Sequence, residues 1–204
     1  MALLTGSNKI NIAVFISGTG SNLKSLIKFS KLKRSPIIIK MIISNNYKAK
    51  GLQYANIYKI KKKVFDFKNT LSEKKVINEL KKNDIRLICL AGFMKVLSFK
   101  FIEDFPGQIL NIHPSILPSI KGLNTHARAI RRKLHVHGAT VHKVTEKLDS
   151  GIILGQTTIS IHKNDTPHSL SMRLKPKENQ LYVDTLRQFL SGNSKVIQKL
   201  ELDT

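Results

Sequence analysis

At 204 residues with 41% hydrophobic content, the chain is long enough to bury one sizeable core and short for two ordinary domains, so one domain over residues 1–204 is expected. The start, MALLTGSNKI, falls short of the ~7 to 15 apolar residues of a signal peptide, and no window approaches the ~18 of a membrane helix, so a soluble, cytoplasmic protein with no membrane partner is expected. A formal charge of +22 invites a nucleic-acid reading, but the lysines are spread through KFSKLKRS, YKIKKK and SEKKVINELKK without aromatic RNA-stacking motifs, and no specific nucleic-acid partner is expected.

In chain order, the β-branched run 10–17, closed by glycine, predicts a strand buried on both faces. Ser21 or Asn22 can cap the helix that follows, with Leu23, Leu26, Ile27 and Phe29 on one face. After Pro36 comes a second strand, IIIKMIIS, then a helix over 49–58, a short strand near 64–67 and a helix over 71–82 whose Val76, Ile77 and Leu80 share a face. The strand over 87–91 carries the one cysteine, Cys89, which allows no intrachain disulfide or cysteine-held metal and reads as a buried small hydrophobe. Strands follow over 108–112, from His137 in HGATVHKVT, and near 155–161, and Thr166 with Pro167 opens a terminal helix. The alternation predicts an α/β fold: a three-layer, Rossmann-like, mostly parallel twisted sheet with helices on both faces and ligands at the carboxyl ends of the strands.

Three segments carry possible chemistry. Gly18-Thr19-Gly20-Ser21-Asn22 lies between a predicted strand and helix, where backbone amides can meet an anion. It lacks the third glycine of a dinucleotide fingerprint, Leu23 standing there, and the Lys-Ser/Thr end of a P-loop, so a tight turn alone is the competing reading. Asn111 and His113, two apart in a strand, present an amide and an imidazole to one space, a set suited to acyl transfer. Asp149, in the turn Leu148-Asp149-Ser150-Gly151, would orient His113 and favour its charged form if the two meet.

Seven ordered segments, FISGTGSNL, IISN, LAGFMKVLS, ILNIHPSILPS, GLNTHA, HGATVHKVTEKLDSGIILGQ and KENQLY, resemble the folate-dependent phosphoribosylglycinamide formyltransferase family over roughly residues 10–190. The resemblance implies formyl transfer from 10-formyltetrahydrofolate, a co-substrate, to the amine of glycinamide ribonucleotide, with small-molecule partners, no metal, and a monomer or homodimer. It implies catalytic roles for Asn111, His113 and Asp149, with Asp149 keeping His113 protonated. It assigns Gly20, Ser21, Asn22, Leu23, Lys24 and Glu178 to the ribonucleotide. To the folate it assigns Met94, Lys95, Val96 and Leu97, together with Asn111 and the loop Thr145, Glu146, Lys147, Leu148 and Asp149.

Some positions depart from the family pattern. Asn69, beside Lys68, stands where a folate-binding arginine is usual, Lys95 replaces a common arginine, Asn124 a histidine and Ser150 a glycine. A lysine lacks the arginine's planar fork, so a different folate affinity is expected. Pro176 falls inside the last helix and is expected to kink it before Glu178. A formyltetrahydrofolate hydrolase shares the same three groups but normally adds an amino-terminal domain, and a methionyl-tRNA formyltransferase adds a carboxyl-terminal one. A binding module without catalysis would leave Asn111, His113 and Asp149 without a task.

Overall fold

The computed structural model describes residues 9–192 and 197–199. In chain order it contains β1 (Ile10–Ile16), α1 (Ser21–Ser30), β2 (Ile37–Ser44), a 3₁₀ turn (Lys50–Leu52) running into α2 (Gln53–Ile57), β3 (Lys61–Val64), α3 (Thr70–Lys82), β4 (Leu87–Leu90) and α4 (Phe99–Asp104). There follow β5 (Gln108–His113), α5 (Thr125–Arg131), β6 (Val136–Lys143), β7 (Ile153–Ser160), α6 (Pro167–Leu190) and β8 (Ile197–Lys199). The strands form one sheet in the order β3-β2-β1-β4-β5-β6-β7-β8. Pairing is parallel from β3 across to β5, antiparallel on both sides of β6, and parallel again between β7 and β8.

Alternate residues of β1 feed two cores, as a strand covered on both faces requires. Ile12, Val14 and Ile16 pack with Leu23, Leu26 and Ile27 of α1 and Leu181 and Leu186 of α6. Ala13 and Phe15 pack with Val76, Ile77 and Leu80 of α3 and Phe101 and Phe105 beyond the sheet's other face. This is the predicted three-layer α/β arrangement, and Cys89 is fully buried within it. No described helix is long and apolar enough to cross a membrane.

The chain runs outward from β1 through β2 to β3, then returns to place β4 on the other side of β1. Where the order reverses, connections leave β1 and β4 in opposite directions and open a crevice at the carboxyl ends of the strands. The segments after β1, β4 and β5 all empty into it.

Several elements differ from expectation. The strand sought near 64–67 is Lys61–Val64, an edge strand whose four residues are exposed, so no apolar run marks it. The helix sought over 49–58 is a 3₁₀ turn and five helical residues. Helices α4 and α5, of six and seven residues, are too short for periodicity to reveal. Neither Ser21 nor Asn22 caps α1: the cap position is Gly20, left-handed at φ 76°, with no side-chain hydrogen bond. Helix α6 continues through Pro176 for 24 residues, opened as expected by Thr166, whose side chain accepts from the Ser169 amide, and by Pro167.

Candidate functional site

A cavity of about 600 Å³ occupies the crevice, lined by residues 18–22, 90–97, 111–114, 122–126 and 144–149 together with His142, Ser171 and Glu178. Three chemically distinct walls meet there.

The first is the start of α1. The Lys24 amide bonds the Gly20 carbonyl at 2.9 Å, which closes the first turn, and no side chain caps the amides before it. These donors and the positive end of the helix suit an anion. Gly20 is required twice: its φ is positive, and an added Cβ would lie 2.8 Å from the Gly51 Cα. The Gly51 amide also donates to the Gly18 carbonyl at 2.9 Å, and the Asn46 side-chain amide donates to the Ser17 carbonyl at 3.2 Å, which together hold the loop. Asn22 is buried, its Oδ1 lacks a partner among the described residues, and its side chain bonds Glu178. Burial pushes the Glu178 carboxyl up to about 7 despite Asn22 and Lys175. Two of the residues expected at the ribonucleotide turn their side chains elsewhere, so only their backbone belongs to the loop. The Leu23 side chain lies wholly in the core, because it belongs to the apolar face of α1, and Lys24 is exposed off the cavity wall, its Nζ 5.9 Å from the Tyr54 ring centroid.

The second wall is polar and comes from β5, β6 and the turn after β6. Asn111 sits opposite His142 and His113 opposite Thr140 in the antiparallel register. His113 is 6% exposed; its Nε2 lies 2.9 Å from the Ile120 carbonyl and its Nδ1 3.4 Å from Asp149 Oδ2. Both neighbours are acceptors and favour a doubly protonated ring, but burial outweighs them and holds the His113 pKa below the ordinary imidazole value. Asp149 raises the His113 pKa, the direction expected of it, while desolvation lowers the pKa by more. Burial pushes the Asp149 carboxyl up, yet the Gly122 amide at 2.8 Å and the neighbouring His113 hold it below the usual carboxylate range. Asp149 takes φ 47°, and an added Cβ at Gly151 would strike the Lys143 carbonyl at 1.7 Å, so the turn is pressed against β6 and aims the carboxylate at the rings.

His142 was not singled out by the sequence, since period-2 alternation does not reveal which residue faces Asn111 across the ladder. Its Nδ1 lies 2.9 Å from the Lys143 carbonyl and so carries a proton; its Nε2 then accepts from Asn111 Nδ2 at 3.2 Å and lies 3.7 Å from Asp149 Oδ1. One hydrogen of the Asn111 amide is thereby used and the other is left for the cavity. Behind this wall, Thr140 Oγ1 donates to the Ser115 carbonyl at 2.7 Å and accepts from the Leu117 amide at 3.0 Å, fixing the loop that carries Ile120.

The third wall is apolar: Met94 and Val96 are 66% and 71% exposed, facing Leu148 across the crevice, with Leu97 buried beneath. Lys95, Thr145, Glu146 and Lys147 also line it. The arginine-replacing Asn69 lies elsewhere: it caps α3, its side chain accepting from the Ser72 amide at 2.9 Å, while Lys68 pairs with Asp66 at 3.1 Å. Asn124 takes φ 57°, a backbone asparagine tolerates, at the start of α5. Tyr182 anchors α6 against the sheet, its hydroxyl 3.2 and 3.0 Å from the carbonyls of Leu90 and Leu110, and Glu178 one turn earlier reaches the cavity. Among the described residues no group of three or more His, Cys, Asp or Glu is placed to hold a metal ion.

Residues 10–186 match the model of the formyl transferase family. The chain is 39% identical to the phosphoribosylglycinamide formyltransferase of Haemophilus influenzae over 93% of its own length and 91% of that protein. It is 40% identical to the trifunctional purine biosynthetic protein adenosine-3 of Gallus gallus over 91% of its length, but spans only 19% of that longer protein. The crystal structure of phosphoribosylglycinamide formyltransferase from Anaplasma phagocytophilum superposes with a TM-score of 0.89 at 32% identity, covering 97% of this chain and all of that one (100%). That from Brucella melitensis gives 0.85 at 38% identity over 91% and 97% of the two chains. The chain belongs to the formyl transferase family and, within it, groups with the phosphoribosylglycinamide formyltransferases.

Proposed function

We propose that the chain transfers the formyl group of 10-formyltetrahydrofolate to the amine of glycinamide ribonucleotide, giving formylglycinamide ribonucleotide and tetrahydrofolate for purine synthesis in the cytoplasm. One observation carries this reading. The Asn111, His113 and Asp149 group stands in a single cavity between an anion-binding helix end and an apolar slot that suits a flat folate ring.

The substrate amine attacks the formyl carbon, and the free hydrogen of the Asn111 amide meets the oxygen that becomes negative. His113, uncharged before reaction, takes the proton the amine sheds and delivers it to the folate nitrogen as the carbon–nitrogen bond breaks. Asp149 stabilises the imidazolium formed in between. The Ser21 and Asn22 amides receive the phosphate, Glu178 binds the ribonucleotide, and Met94, Val96, Leu97 and residues 145–149 enclose the folate.

The test supplies 10-formyltetrahydrofolate with glycinamide ribonucleotide, with initiator methionyl-tRNA, or with water alone. Turnover with the ribonucleotide is expected. Formate release without an acceptor, or transfer to the tRNA, would overturn the reading.

A further inference from the structure

His126 opens α5 and lines the same cavity as Asn22, Ser171 and Glu178. Its Nδ1 lies 3.1 Å from Thr125 Oγ1, and its ring packs edge-to-face on buried His137 at 4.9 Å between centroids and 65° between planes. Two neighbours thus fix the ring, so little freedom remains to be lost on binding. Its Nε2, by contrast, is shielded from solvent and has no hydrogen-bond partner among the described residues. A buried polar atom of this kind is costly to leave unmatched.

The surroundings define what would match it. Burial and the Lys175 charge both hold the His126 pKa below its ordinary value, and the same lysine acts on Glu178, which in turn bonds Asn22. His126, Glu178 and Asn22 therefore line the cavity, beside the start of α1, with the Lys175 charge near enough to act on both His126 and Glu178. An uncharged imidazole and a lysine there call for an oxygen-rich, anionic group between them. We infer that His126 is a substrate-binding residue whose Nε2 hydrogen-bonds an oxygen of the ribose phosphate. This rests on the ribonucleotide reading of the site.

Calorimetric titration of the whole protein with inorganic phosphate, ribose 5-phosphate and glycinamide ribonucleotide tests it, in the wild type, His126→Phe and His126→Asn. Phe keeps the ring and its contact with His137 but has no nitrogen; Asn restores a polar group at similar reach. His126→Phe is expected to weaken ribose 5-phosphate and ribonucleotide by about tenfold, with Asn recovering to within about threefold of wild type. The KM for 10-formyltetrahydrofolate should stay within about twofold, since a hydrogen bond lost at one subsite need not disturb the other. A parallel loss for inorganic phosphate puts the contact on the phosphate, and no loss there puts it on the sugar; both support the assignment. Unchanged binding of ribose 5-phosphate by His126→Phe overturns it, as does a fall in Tm with equal loss of donor and acceptor, the mark of a merely structural ring. Failure of the wild type to transfer formyl to the ribonucleotide overturns the reaction proposed for the site, while the ribose 5-phosphate arm still decides the role of His126.

Discussion

The proton on His113 is contested by two forces of known sign. Burial penalises the imidazolium, while the Asp149 carboxylate at 3.4 Å and the Ile120 carbonyl at 2.9 Å favour it. The ring is expected to titrate below the ~6.5 of a free imidazole, and Asp149→Asn, which removes an attractive charge at constant size, should lower the value again. NMR titration of the ring checks both; a rise on replacing Asp149 would show that the two do not interact as placed. In kinetics, His113→Ala should cost at least ~100-fold, and adding Asp149→Asn should cost little more, because residues that act as a unit are not additive. Simple multiplication of the two losses would mean that Asp149 works independently. The sequence made Asn111, His113 and Asp149 legible as residue types suited to acyl transfer. It did not reveal His142, whose contact with Asn111 depends on strand register, nor the balance at His113, because desolvation is a property of the packed fold.

At the scale of elements, legibility followed burial. Strands buried on both faces and helices with a continuous apolar stripe were readable, whereas the lysine-rich edge β3 and the short α4 and α5 carry no such pattern. The α1 cap shows a further reason: Gly20 was chosen by backbone geometry, against Gly51 of a distant turn, and not by a side-chain preference visible locally. Gly20→Ala is accordingly expected to destabilise the protein by ~1–3 kcal/mol, from the positive φ and the close Gly51 Cα, as well as to weaken ribonucleotide binding. Denaturant unfolding measures the first effect and KM the second; an unchanged midpoint would contradict the packing described. Pro176 makes the opposite case. It interrupts the backbone ladder of α6 without ending the helix, since Leu174, Leu181, Tyr182 and Leu186 hold the rest of the helix on the sheet. Pro176→Ala restores one amide donor and removes a ring clash, so Tm should rise by a few degrees, the ~3 kcal/mol penalty being partly offset by the freer unfolded chain. Activity should be unchanged, because Tyr182 and not Pro176 sets the position of Glu178.

For the molecule as a whole, charge and buried histidines act in the same direction as pH falls. With 35 basic and 13 acidic side chains the formal excess is 22, and every further proton adds to self-repulsion. Burial lowers the pKa values of His113 and His126 and takes His137 down to about 4. In the unfolded chain these rings titrate near ~6.5, so between the two values the unfolded state binds more protons than the native one. Stability should therefore be full above pH ~6.5 and decline as pH falls toward 4, with His137 alone contributing up to about 3 kcal/mol of the loss. The two sources separate with salt. Added salt screens repulsion between exposed lysines but does not repay the desolvation of a buried ring. Unfolding midpoints between pH 7 and pH 4, at low salt and near 0.5 M, should show partial recovery at high salt and a remaining acid sensitivity. His137→Gln, which keeps a polar group but takes up no proton, should reduce that remainder. If salt instead abolished the pH dependence in the wild type, surface repulsion alone would account for it, and the buried rings would not be held neutral in the native fold.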